Sequence, residues 1–77
     1  MVQEQISDYK GRCVVVKCTN GDIVDGRLSF FNYANQVLHL SKYAMHRHSG
    51  ETESGEFIVL NKGEWASVAV KGDEKYD

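Results

Sequence analysis

Apolar residues recur at alternate positions through most of the chain, and the places where the alternation stops mark its turns. The β-branched run Val14, Val15, Val16 predicts a strand over residues 12–19. Asn20-Gly21 follows at once, a two-residue hairpin signal that folds this strand back into the next. The second strand is predicted over residues 22–31, with Val24, Leu28 and Phe30 on one face and Asp25, Arg27 and Ser29 on the other. Gly26 removes a side chain in its middle, where a strongly curved sheet needs to bend, and such curvature points to a barrel. The third strand starts near residue 35 and reaches residue 45 or beyond, with Leu38 and Leu40 on one face and His39 on the other. Residues 46–55 are rich in Gly, Ser and charge and read as an exposed loop. Residues 57–60 make a fourth strand, Lys62-Gly63 a turn, and residues 65–70 a fifth strand. Ahead of the strands, Val2, Ile6 and Tyr9 recur at helical spacing, which predicts a short amphipathic helix over residues 2–10 ended by Gly11. The expected fold class is mainly β: a short N-terminal helix plus a strongly bent five-stranded antiparallel sheet. It forms a single domain over 1–77, with a barrel over residues 11–70 and a charged tail over 71–77.

A chain of 77 residues holds one core with a thin stability margin, so a further source of burial is expected, and oligomerisation is one. Nine Lys plus Arg against eleven Asp plus Glu leave a net charge of -2, which argues against a protein that coats nucleic acid by bulk electrostatics. Any anionic partner must be held locally. No apolar run is long enough for a signal peptide or a membrane span, and the chain is expected to be cytoplasmic with no membrane partner. Cys13 and Cys18 sit at an odd spacing in one strand, point to opposite faces, and read as buried small hydrophobes rather than a disulfide.

The chemistry concentrates in two turns. Asn32, Tyr33 and Asn35 close the second strand, and Lys62, Gly63 and Glu64 follow the fourth. Each turn presents amide or cationic groups between strand-forming runs, and together they would make a pocket. Taken singly, each residue has a plainer role: Tyr33 packs on the barrel rim, Asn35 satisfies turn backbone, Lys62-Gly63 is an ordinary hairpin turn, and Trp65 is core or interface. His39 points away from His46 and His48, so no three-histidine metal site is expected. His46, Arg47 and His48 read as solvated loop residues. There is no paired carboxylate in a predicted cleft, no nucleophile beside a base and no glycine-rich phosphate loop, so no enzyme and no cofactor is expected.

The order Gly11, Val14, Val16, Asn20-Gly21, Gly26, Leu28, Phe31-Asn32, Asn35, followed by a variable loop and a second hydrophobic, basic, glycine, acidic turn, resembles the Sm-like (LSm) family, above all its archaeal members. The resemblance spans residues 9–70. It implies a small barrel that assembles into a homo-oligomeric ring, heptamer favoured over hexamer, by pairing the fourth strand of one subunit with the fifth of the next. It also implies a pocket for single-stranded U-rich RNA near the pore in each subunit, with RNA-processing proteins as further partners. Carried onto this chain, Asn35 would hydrogen-bond the base edge, Tyr33 would stack on the base, and Lys62 would stand where the family has Arg. Gly63 would permit the turn, Glu64 would hold the acidic position, and Asn32 would take the place of the family's Asp.

Four departures bear on that pocket. The first turn is one residue short; Asn32 replaces an Asp, Ala34 a Met, and Lys62 an Arg whose planar guanidinium both stacks and hydrogen-bonds. The expectation is RNA binding that is weaker or less base-selective than with Arg at that turn. The alternative is a protein-assembly scaffold ring whose nucleotide pocket has degraded.

Overall fold

The computed structural model describes residue 6 and residues 8–71. Five strands follow in chain order: β1 (Cys13–Cys18), β2 (Ile23–Asn32), β3 (Val37–His46), β4 (Thr52–Leu60) and β5 (Trp65–Val70). They form one antiparallel sheet in the order β4-β3-β2-β1-β5. The helix expected over residues 2–10 lies largely outside the described residues. Of that segment, Ile6 is buried in the core and Tyr9 donates its backbone N–H to the Ile6 carbonyl at 3.0 Å.

Sheet order and loop length together dictate the bend. β4 and β5 are opposite edges of the sheet, and a flat sheet would hold them roughly 19 Å apart, four strand spacings. Only residues 61–64 join them, and these fold into a turn closed by Glu64 N–H donating to the Asn61 carbonyl at 2.9 Å. The sheet must therefore curl until its edges converge. The inner surface of that curl is the core: Val14, Val16, Val24, Leu28, Leu38 and Leu40 are fully buried, with Phe31 and Leu60 nearly so.

Bulges create the curvature. Register between β2 and β3 slips between Asp25 and Arg27, where β3 carries the extra residue and Lys42 takes a positive φ of 51. It slips back between Leu28 and Phe30, where Ser29 is the extra residue on β2 and its hydroxyl donates to the His39 carbonyl at 3.1 Å. Gly26 sits at the first bulge because a Cβ there would lie 3.1 Å from both the Ser41 carbonyl oxygen and the Tyr43 Cα. A third slip, between Lys17 and Cys18, places the extra residue at Ala66 on β5.

The second bulge corrects one expectation. Strict alternation puts Phe30 inside with Leu28, but the extra residue at Ser29 reverses the phase, so Phe31 is buried and Phe30 is 48% exposed. A second correction concerns residues 46–55. β4 begins at Thr52, not residue 57, and pairs its polar half with Tyr43, Ala44, Met45 and His46, which leaves residues 47–51 as the turn. His46 is therefore the last residue of β3, with Nε2 3.3 Å from the Asp25 carboxylate, rather than a loop residue. The cysteines are a third correction: Cys13 is exposed on the outer face, and Cys18 is half-buried where β1 ends.

Candidate nucleic-acid interface

The first turn is built by its own amide. Asn32 ends β2, and its side-chain Oδ1 accepts the backbone N–H of Asn35 at 3.1 Å, an Asx-type cap that closes the loop over residues 33–36. This satisfies Asn35's backbone through its neighbour and leaves the Asn35 side chain exposed. Tyr33 is 46% exposed, and its ring stands 5.8 Å from Phe31 at a 58° tilt. Gln36 closes the loop in the left-handed region with φ 56.

The second turn is capped in the same way from the acidic side. Glu64 Oε1 accepts the Asn61 backbone N–H at 2.8 Å, so this carboxylate is turned back onto its own loop. Gly63 has φ 90, a conformation that suits glycine, and Lys62 is exposed at the tip. The end of β1 anchors this turn: the Thr19 hydroxyl donates to the Gly63 carbonyl at 2.8 Å, and the Thr19 N–H to the Glu64 carbonyl at 3.0 Å.

Trp65 joins the two turns. It follows Glu64 directly, its indole Nε1 donates to the Gln36 carbonyl at 2.9 Å, and its ring meets Phe31 edge-on at 6.0 Å. Phe31 thus lies beneath both Tyr33 and Trp65. What the structure shows between the two turns is this link, from the residue that follows the second turn to the last residue of the first loop. Gln36 and Trp65 make the link and Thr19 anchors the second turn alone; the sequence pattern assigns none of the three this role. No sequence signal marks Gln36 as a left-handed residue, whereas an indole immediately after a glycine turn is a usable hint of a buried N–H seeking a carbonyl.

A cleft of about 330 Å³ opens between the ends of β1 and β3, the second half of β4 and the turn that follows it. Cys18, Asp22, Met45, Arg47, Leu60 and Glu64 are among its lining residues, and of the two candidate turns it takes in only Gly63 and Glu64. Asp22, 6% exposed, organises its polar end. It accepts the His48 N–H at 2.8 Å and the Asn20 side-chain amide at 3.2 Å, and lies 3.5 Å from the Arg47 guanidinium. Arg47 also holds Glu53 at 3.0 Å, and that hydrogen bond raises its pKa above the ordinary value. Burial, then the charges of Asp22 and Glu64, push the Cys18 thiol up. Every buried polar side chain among the described residues has a partner, and no three His, Cys, Asp or Glu among them group as metal ligands.

A strongly bent, bulged five-stranded antiparallel sheet whose two unpaired edges converge on a pair of polar turns is the Sm fold. No protein-family model and no curated relative matches the chain. Solved structures do. A heptameric archaeal Sm protein aligns with a TM-score of 0.74 at 18% identity over 87% of this chain and 96% of its own. An Sm-like protein from Archaeoglobus fulgidus aligns with a TM-score of 0.77 at 14% identity over 92% and 95%. A chain of the NatC complex bound to Gag peptide and CoA aligns with a TM-score of 0.74 at 17% identity over 94% and 99%.

Proposed function

We propose that this chain assembles into a homo-oligomeric ring, a heptamer in preference to a hexamer, and holds single-stranded U-rich RNA in one pore-side pocket per subunit. Its role is RNA processing or RNA chaperoning rather than catalysis, and its place of action is the cytoplasm. The observation that supports this reading is the Trp65–Gln36 hydrogen bond, between the residue that follows the Lys62–Glu64 turn and the residue that follows the Asn32–Asn35 turn. Around it, Tyr33 supplies an exposed aromatic face, Asn35 an exposed amide and Lys62 an exposed cation. Ring closure is supported by the likeness to heptameric archaeal Sm proteins and by β4 and β5, whose outer edges are strand edges that a neighbouring copy can pair.

Fluorescence anisotropy with oligo-U and oligo-A, on wild type and on Tyr33→Ala, Asn35→Ala and Lys62→Ala, tests the pocket. Oligo-U affinity that falls in the variants supports it; no oligo-U affinity at low salt, or the same affinity in all three variants, rejects it. Native mass spectrometry tests the ring, and a monomer alone rejects it.

A second reading has its own support. The fold also matches a chain within the NatC complex, a protein assembly, at comparable TM-score. With Lys62 in place of Arg and a shortened first turn, the chain then serves as an assembly scaffold. A ring without oligo-U affinity is the result that favours this alternative.

A further inference from the structure

The outer face of the sheet carries an aromatic stripe that the monomer leaves uncovered. Phe30 on β2 and Phe57 on β4 are 48% and 54% exposed, Val59 is 38% exposed, and the His39 ring lies between the phenylalanines at 5.5 Å and 5.9 Å. Phe30 reaches this face only because the Ser29 bulge turns it outward, in a segment where plain alternation would have buried it. Large side chains placed side by side in water mark a contact surface.

The strand register says what this surface adjoins. Three successive rungs cross it: Asn32 pairs Val37; Phe30 pairs His39, which pairs Val59; and Arg27 pairs Ser41, which pairs Phe57. Each rung lies about 7 Å beyond the last. The first contains Asn32, the cap of the first candidate turn, and Val59 lies two residues before Asn61, which opens the second. The stripe is thus a continuous track leading out of the proposed pocket. Its chemistry alternates aromatic faces with His39 and the exposed Arg27, and no carboxylate occurs on the three rungs. Aromatic platforms with interleaved cations suit the bases and phosphates of a single strand. Pairing at the β4 edge is made by backbone groups in the plane of the sheet and does not itself use the side chains of this face.

We propose that single-stranded RNA leaving the pocket continues over this outer face, its bases stacking on Phe30 and Phe57 beside His39 and its phosphate meeting Arg27. This proposal rests on the RNA-binding reading of the two turns and adds a second, length-dependent site.

The test compares oligo-uridines of about 4 and about 16 nucleotides, the range that one small binding domain occupies, by fluorescence anisotropy at fixed salt. Wild type is expected to bind the longer probe more tightly than added length alone provides. Phe30→Leu and Phe57→Leu keep an apolar side chain on the strand but remove the aromatic face. Each is expected to weaken the longer probe about tenfold and leave the shorter one unchanged; Phe57→Tyr is expected to restore binding. Equal effects on both lengths, or none on either, overturn the stripe while the pocket stands. Failure of wild type to bind either probe overturns both. If the leucine variants instead change the subunit count in native mass spectrometry and leave length dependence intact, the face is a protein interface and the proposal fails.

Discussion

The indole N–H of Trp65 donates a 2.9 Å hydrogen bond to the carbonyl of Gln36, a residue held at φ 56, and through it β5 is fastened to the loop between β2 and β3. The contact is part-buried, so losing the donor leaves a carbonyl without its partner. Trp65→Phe keeps an aromatic ring beside Phe31 but removes the N–H together with part of the bicyclic ring, so it loses some packing as well. A loss of about 1–3 kcal/mol follows from leaving such a group unpaired. For a domain of this size, each kcal/mol lowers the melting temperature by about 4–8 °C, which thermal denaturation followed by circular dichroism reads directly. An unchanged melting temperature would show that the bond contributes nothing net to stability.

Gly26 tests the bulge geometry. The atoms nearest its Cβ position, at 3.1 Å, are backbone, the Ser41 carbonyl oxygen and the Tyr43 Cα, and neither moves without opening the β2–β3 ladder. Gly26→Ala is expected to cost about 1–3 kcal/mol, the usual range for overpacking a tight site. Gly50→Ala is the comparison, since nothing lies within 4 Å of its Cβ position and only its φ of 104 opposes the change. Urea denaturation of both variants should place the Gly26 change as the more damaging if the close approach matters more than backbone strain.

These two sites also show where sequence and structure part. Asn20-Gly21 and the Val14, Val16 alternation make the β1–β2 hairpin readable, because turn chemistry and burial agree locally. Gly26 is readable as a bend for the same reason. The Ser29 bulge is not, since serine carries no bulge signal and Phe30-Phe31 offers two equally apolar choices for the inward position. The first half of β4, Thr-Glu-Ser-Gly-Glu, has no apolar pattern, and its strand character comes from pairing with β3. Of the candidate site, the two turns were legible as polar loops at strand ends. The Trp65–Gln36 link between the residues that flank them was not, because it depends on how far the sheet curls.

Cys18 and Cys13 should separate chemically. Cys13 is exposed, whereas Cys18 is half-buried and its thiol is pushed above the ordinary 9.0 by burial and then by Asp22 and Glu64. The folded protein therefore holds the Cys18 proton more tightly than the unfolded chain does. That contribution to stability is fully present below the unfolded pKa and is lost as pH rises through the folded one. Iodoacetamide at mildly alkaline pH is expected to label Cys13 first, as peptide mass spectrometry will show. In Cys18→Ala the alkaline fall in unfolding free energy should become shallower; an identical fall would assign it to other groups.

Asp22 couples the β1–β2 turn to the β3–β4 turn through Asn20, His48 and Arg47. Asp22→Ala leaves the His48 N–H without its acceptor and removes Arg47's partner at the cleft. A loss of about 1–3 kcal/mol is expected from the uncapped N–H. Asp22→Asn retains an acceptor and should lose less. Hydrogen exchange would locate the effect: amides of residues 47–51 should exchange faster in Asp22→Ala, while those of β1 and β2 keep their order. Uniform acceleration would instead indicate global destabilisation.

Lys62 decides how the proposed pocket uses charge. At the tip of a turn whose carboxylate, Glu64, is bonded back to Asn61, the ammonium is the turn's outward charge. For single strands each phosphate contact contributes about 0.7 to the slope of log affinity against log salt. Lys62→Ala is expected to weaken a short oligo-uridine and to reduce its salt slope by about that amount. Lys62→Arg should keep the slope, because the charge is unchanged. It should also widen the preference for oligo-U over oligo-A, because a planar guanidinium has fixed donor geometry where an ammonium has none. On a longer RNA that engages several subunits of a ring, the same alanine substitution acts once per occupied site. Its effect on affinity and salt slope should therefore grow with oligonucleotide length. A slope change equal for short and long probes would mean that one site, not a circle of them, holds the strand.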